Sequence, residues 1–130
     1  MSYEARTGAV LFAANPDRVA AFYSVVLGLT EANRAADDIL LESPGFQLVV
    51  HRIIDRGAAG QIGDTPVRRA TAAWKPVFVV SSISRLRKVA ETHGGVIEPP
   101  DREWSFNGFT VCDALDPEGN VIQLREPVVA

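Results

Sequence analysis

The chain has 130 residues, 13 Lys and Arg against 16 Asp and Glu, a formal net charge of −3, and 47% hydrophobic and 22% charged residues. This balance fits one folded domain, or two small units sharing a core, and excludes a disordered chain or a sequence-independent nucleic-acid binder. No apolar run approaches the ~20 residues of a membrane span, Met1-Ser2-Tyr3-Glu4-Ala5-Arg6 lacks a signal-peptide pattern, and the single Cys112 excludes an intrachain disulfide and any multi-thiolate metal site. A cytoplasmic protein with neither nucleic acid nor membrane as partner is expected.

In chain order, the short apolar run Gly8–Ala13 predicts a mostly buried first strand. Asn15 caps a helix, Pro16 suits its first turn, and Asp17 complements the positive end of its dipole. Val19, Phe22, Tyr23, Val26 and Leu27 recur at helical spacing, and Gly28 stops the helix. Phe22 and Tyr23 are read as packing residues. Strands are predicted over Thr30–Arg34, Ile39–Glu42 and Phe46–Arg52, with Ser43-Pro44-Gly45 turning between the last two. In the third, Gln47, Val49 and His51 share one face. Ile53–Ala73 has no sustained period and reads as a linker, a lid or an exchange segment.

The order then restarts. Lys75–Val80 predicts a strand with Pro76 near its start, where proline is tolerated. Ser82 or Ser84 caps a second helix with Ile83, Leu86, Val89 and Ala90 on its buried stripe, and Gly94-Gly95 ends it. Val96–Glu98 is a short strand broken by Pro99-Pro100, Trp104 lies in a loop, and Phe109–Ala114 with Asn120–Glu126 forms a closing hairpin. In that hairpin Val121, Gln123 and Arg125 share one face, and Ile122 and Leu124 the other. Aligning Gly45 with Gly119 sets Val49 against Gln123 and His51 against Arg125, so a strand-helix-strand-strand-strand order occurs twice. Module one spans about 7–53, the linker about 54–73 and module two about 74–127.

The runs Phe22-Tyr23-Ser24-Val25-Val26-Leu27-Gly28-Leu29 and Asp116-Pro117-Glu118-Gly119-Asn120-Val121-Ile122-Gln123-Leu124 carry a resemblance. With the paired order, the chain resembles the vicinal oxygen chelate superfamily, which includes glyoxalase I, bleomycin-resistance proteins and extradiol dioxygenases. The resemblance implies an α+β fold of two βαβββ modules forming a curled mixed sheet around a shared cavity, often in a dimer. It also implies a divalent metal held by one His, Glu or sometimes Gln from each of four strands. Carried across, those positions fall at Gly8, Val49, Lys75 and Gln123. Glycine and valine offer no donor, lysine opposes a cation, and one amide oxygen does not hold a metal. No metal and no cofactor are therefore expected.

Five residues are candidates for ligand binding. Lys75 can hold an anionic group, or serve as a base or Schiff-base amine if desolvated; it can equally reach solvent from a strand end. Gln123 suits a carbonyl or amide group, or else bonds Lys75 or a water. His51 shares the face of Val49 as a base or displaced ligand, or is a surface histidine. Trp104 caps a cavity mouth or packs over a sheet edge. Arg125 shares the face of Gln123. Cys112 is read as a core thiol. Arg68-Arg69 is far short of a nucleic-acid stripe. The expected function is a glyoxalase/bleomycin-resistance-like, metal-independent homodimer binding a small organic molecule. The alternative is a lyase, isomerase or dioxygenase using displaced metal ligands or Lys75 as base. A ferredoxin-like βαββαβ chain is disfavoured by three strands between the helices.

Overall fold

The computed structural model describes residues 6–53 and 66–129. The chain divides into two compact units, Met1–Gln61 and Ile62–Ala130.

The first unit runs β1 (Gly8–Ala13), α1 (Pro16–Val25), β2 (Thr30–Arg34), β3 (Asp38–Ser43) and β4 (Phe46–Arg52). The Asn15 side chain accepts from the Arg18 amide at 3.2 Å, satisfying a donor that the first helical turn leaves free. Gly28, at φ +78°, ends the helix in the left-handed conformation that costs glycine least. The sheet order is β1-β4-β3-β2, with β1 parallel to β4 and the other pairs antiparallel. Val19, Phe22 and Tyr23 of α1 are buried with Ile39, Leu41, Leu48 and Val50, every second residue of β3 and β4. Phe22 and Tyr23 meet edge-on at 5.3 Å, as packing residues do.

The expectation of a mostly buried first strand does not hold. Ala13 is buried, but Val10 is 56% and Phe12 58% exposed. An apolar run signals a strand without saying how many of its faces are covered. At the sheet edge beside β4, β1 buries only the face it shares with Leu48 and Val50.

The second unit runs β5 (Val77–Val79), α2 (Ile83–Thr92), β6 (Val96–Ile97), a single 3₁₀ turn (Pro100–Arg102), β7 (Trp104–Phe106), β8 (Phe109–Leu115) and β9 (Val121–Pro127). Its sheet has the order β5-β9-β8-β6, and β7 also pairs with β8. Ser82, not Ser84, caps α2, accepting from the Arg85 amide at 3.3 Å. The Glu126 carboxylate on β9 accepts from the Ile83 amide at 2.6 Å, setting negative charge at the positive end of the helix dipole. Two expected elements change here. The strand expected over Lys75–Val80 shortens to Val77–Val79, because Pro76 has no N–H for a ladder and Lys75 precedes it. Trp104, expected in a loop, lies in β7. Asn107 (φ 46°) and Gly108 (φ 84°) both take positive φ, so they form the two-residue turn that folds β7 back onto β8.

The turn from β8 to β9 is locked by Asp116. This fully buried carboxylate accepts from the amides of Glu118 (2.9 Å) and Asn120 (3.0 Å) and from the Asn120 side chain (2.8 Å). Residues 54–65 of the expected linker lie outside the described residues. From residue 66 the segment is docked: the Arg69 amide donates to Gly119 O at 3.0 Å and its Nε to Glu118 O at 3.1 Å. A Cβ on Gly119 would stand 1.8 Å from Val67 O, so only glycine admits this approach.

The registers match between the units. Val10 pairs with Val49 in the first and Val77 with Gln123 in the second, each partner four residues beyond a positive-φ glycine, Gly45 or Gly119.

Candidate functional site

In the second unit, Ile122, Leu124, Cys112 and Ala114 point into the core with α2. Period two then turns Gln123 and Arg125, Val111 and Asp113, Trp104 and Phe106, and Val77 and Val79 to the opposite face. Asp113 stands directly across from Gln123. Lys75 reaches this pair from outside the strand, donating from Nζ to both Asp113 oxygens at 3.1 and 3.0 Å. Gln123 Oε1 accepts from Arg125 Nε at 2.8 Å, and that guanidinium lies 4.9 Å above the Phe106 ring.

Beside these residues opens a cleft of about 360 Å³ lined by Arg68, Glu98, Arg102, Trp104 and Asp113. Trp104 is 41% exposed, a large apolar surface left uncovered at a concave site. Arg68 stands 3.7 Å from Glu98 and 3.9 Å from Asp113, too long for firm hydrogen bonds. Among the described residues the Arg102 side chain makes no ion pair. Its position is fixed through the backbone, because Arg87 of α2 ties down the stretch around it. Arg87 donates to Glu98 O at 2.9 Å and to the Glu103 carboxylate at 2.5 Å. Cys112 Sγ also donates to Glu98 O at 3.4 Å. Burial pushes the Cys112 thiol pKa up, partly offset by the neighbouring Arg87, so the group is an unreactive core thiol.

Lys75, Gln123, Trp104 and Arg125 thus stand on one sheet face or at its border. Lys75 keeps a 39% exposed side chain and spends its charge on Asp113. His51 lies in the first unit, on β4. It faces Phe12 with ring centroids 5.7 Å apart, and its Nδ1 is 2.7 Å from Arg52 O.

The four positions where the resemblance implies metal ligands do not suit a divalent ion. Gly8 has no donor and no room for one, since a Cβ there would stand 2.0 Å from Gln47 O. Val49 has none, Lys75 is cationic, and the Gln123 oxygen is already engaged by Arg125. Among the described residues there is no group of three or more His, Cys, Asp and Glu placed to hold a metal.

No family model and no curated protein matches this chain. Solved structures do. A glyoxalase/bleomycin resistance protein/dioxygenase family enzyme from Burkholderia phytofirmans PsJN aligns with TM-score 0.68 and 18% identity, over 94% of this chain and 98% of that one. An integron cassette protein from V. cholerae aligns with TM-score 0.62 and 22% identity, over 97% of both. The fosfomycin resistance protein FosX from Listeria monocytogenes aligns with TM-score 0.64 and 12% identity, over 100% of this chain and 95% of that one. The chain shares the fold of these glyoxalase/bleomycin-resistance-type structures. At these identities the likeness speaks for the fold and not for a shared reaction.

Sequence reasoning missed Arg68, Glu98, Arg102 and Asp113 as site residues. Asp113 was within reach, since the Asp116–Asn120 turn sets the hairpin register that puts it across from Gln123. Arg68 carried no such signal, because its place depends on a docked segment without periodicity.

Proposed function

We propose that this protein binds a small organic molecule in the cleft beside Trp104, as a metal-independent, cytoplasmic homodimer of the glyoxalase/bleomycin-resistance type. The observation that carries the reading is the cleft itself: an uncovered indole bordered by charged groups, of which Asp113 is held by Lys75 and the Glu98 backbone by Arg87. The lining is mostly charged, with Trp104 as its one aromatic face, and convergent polar groups beside an exposed aromatic in a concave site mark a place for a polar ligand. Lys75 and Asp113 satisfy one another and Arg87 fixes the 98–103 backbone, so that part of the wall is set before a ligand arrives, and beside it Arg125 orients Gln123. Metal independence is supported by the donor chemistry at Gly8, Val49, Lys75 and Gln123. Metal analysis of the purified protein, with ligand titration before and after EDTA, tests it. Substoichiometric Mn, Fe, Ni and Zn with unchanged binding is expected, and loss of binding on chelation would overturn it.

A further inference from the structure

We infer that the cleft takes a small organic carboxylate with a flat apolar body, its acid group held by Arg102 and Arg68 and its body laid on Trp104. This rests on the reading of the cleft as a binding site and adds the charge and shape of what enters it. The charge follows from the pairing inside the wall. Asp113 is met by Lys75 at 3.0 and 3.1 Å, so its charge is spent. Glu98 faces Arg68 at 3.7 Å, a loose contact that leaves Arg68 donors to spare. Arg102 has no ion-pair partner among the described residues, so the lining with Lys75 holds three cations against two carboxylates. One surplus positive charge matches one carboxylate. A cationic ligand would instead have to displace Lys75 from Asp113 or compete with Arg68 for Glu98.

Guanidinium groups favour a carboxylate further, because their planar donor fork meets its two oxygens in parallel. Trp104 supplies the flat apolar floor, and Phe106, on the same strand face, is 44% exposed. A volume of about 360 Å³ lies near the lower end for ligand clefts and sets the size as small.

The test uses the full chain carrying Trp74→Phe, so that Trp104 is the only indole left to report. Three probes of one shape are titrated against its emission: 3-phenylpropanoate, 3-phenylpropanamide and 3-phenylpropylamine. The carboxylate is expected to bind about tenfold or more tightly than the amide, the yield of a charge-assisted hydrogen bond. Arg102→Gln should erase that preference, and Arg102→Lys, keeping charge without the fork, should retain part of it. Asp113→Asn should tighten carboxylate binding by removing an opposing charge, an effect that general damage to the site would not produce. Equal binding of amide and carboxylate, or tightest binding of the amine, would overturn the carboxylate assignment while leaving the cleft a binding site. No response of Trp104 to any probe at millimolar concentration would overturn both.

Discussion

Lys75 spends its charge on Asp113 where solvent still reaches both, and that sets what the pair is worth. With the lysine side chain 39% exposed, screening and the entropy of a long side chain hold the pair to about 1 kcal/mol or less. Lys75→Met keeps the stem and loses the charge, so urea denaturation should show a stability change within about 1 kcal/mol. A larger loss would make the pair structural instead. Cys112 gives the opposite case, a fully buried group whose raised pKa means that the folded state holds its proton more tightly than the unfolded chain does. Its contribution is complete below the ordinary thiol pKa of 9.0 and is lost as pH rises through the higher folded value. Stability of the wild type should therefore fall more steeply than that of Cys112→Ala above pH 9, by denaturant midpoints across the alkaline range. Parallel curves would refute the shift. At this scale the sequence exposed Gln123, Arg125 and Cys112, because period two in a hairpin assigns faces directly. It did not expose Arg102, whose proposed role depends on its having no ion-pair partner among the described residues.

At the scale of elements, the decisive contact joins a turn to the end of the segment that the sequence reads as a linker, a lid or an exchange segment. Gly119 sits at φ +83°, and a Cβ there would strike Val67 O at 1.8 Å, backbone against backbone. Gly119→Ala should cost about 1–3 kcal/mol, part from the left-handed conformation and part from lifting the 66–69 segment off the turn. Hydrogen exchange should show the Arg69 amide losing protection, since its bond to Gly119 O is the one pulled apart. An unchanged Arg69 amide would mean that the segment docks by other contacts. The helices were legible because each boundary is written in a few local residues, Asn15-Pro16 and Gly28 for α1, Ser82 and Gly94 for α2. The β7–β8 hairpin is written just as locally, in Asn107-Gly108, but a strand of three residues gives a weak signal. Burial of β1 was not written locally at all, since it depends on which strands lie beside it.

For the whole molecule, both units expose apolar side chains on the strand at one edge of the sheet. In the first, β1 pairs with β4 at that edge and carries Val10 and Phe12; in the second, β5 pairs with β9 and carries Val77 and Val79, the last 64% exposed. An edge strand with free backbone groups and an apolar face invites association unless something covers it. The formal charge of −3 is too small to keep copies apart at ordinary ionic strength. A homodimer that buries these strands resolves the exposure, and closed two-fold pairing does so without leaving a sticky end. Light scattering at about tens of micromolar, above the dissociation constants of stable interfaces, should therefore read twice the 14.0 kDa chain mass. Phe12→Glu and Val79→Lys each place a charge in an apolar strand face without touching the helix-packed core. Either should shift the mass toward 14.0 kDa while circular dichroism stays unchanged. A wild-type monomer at that concentration would remove the dimer. A dimer indifferent to both substitutions would place its interface away from β1 and β5.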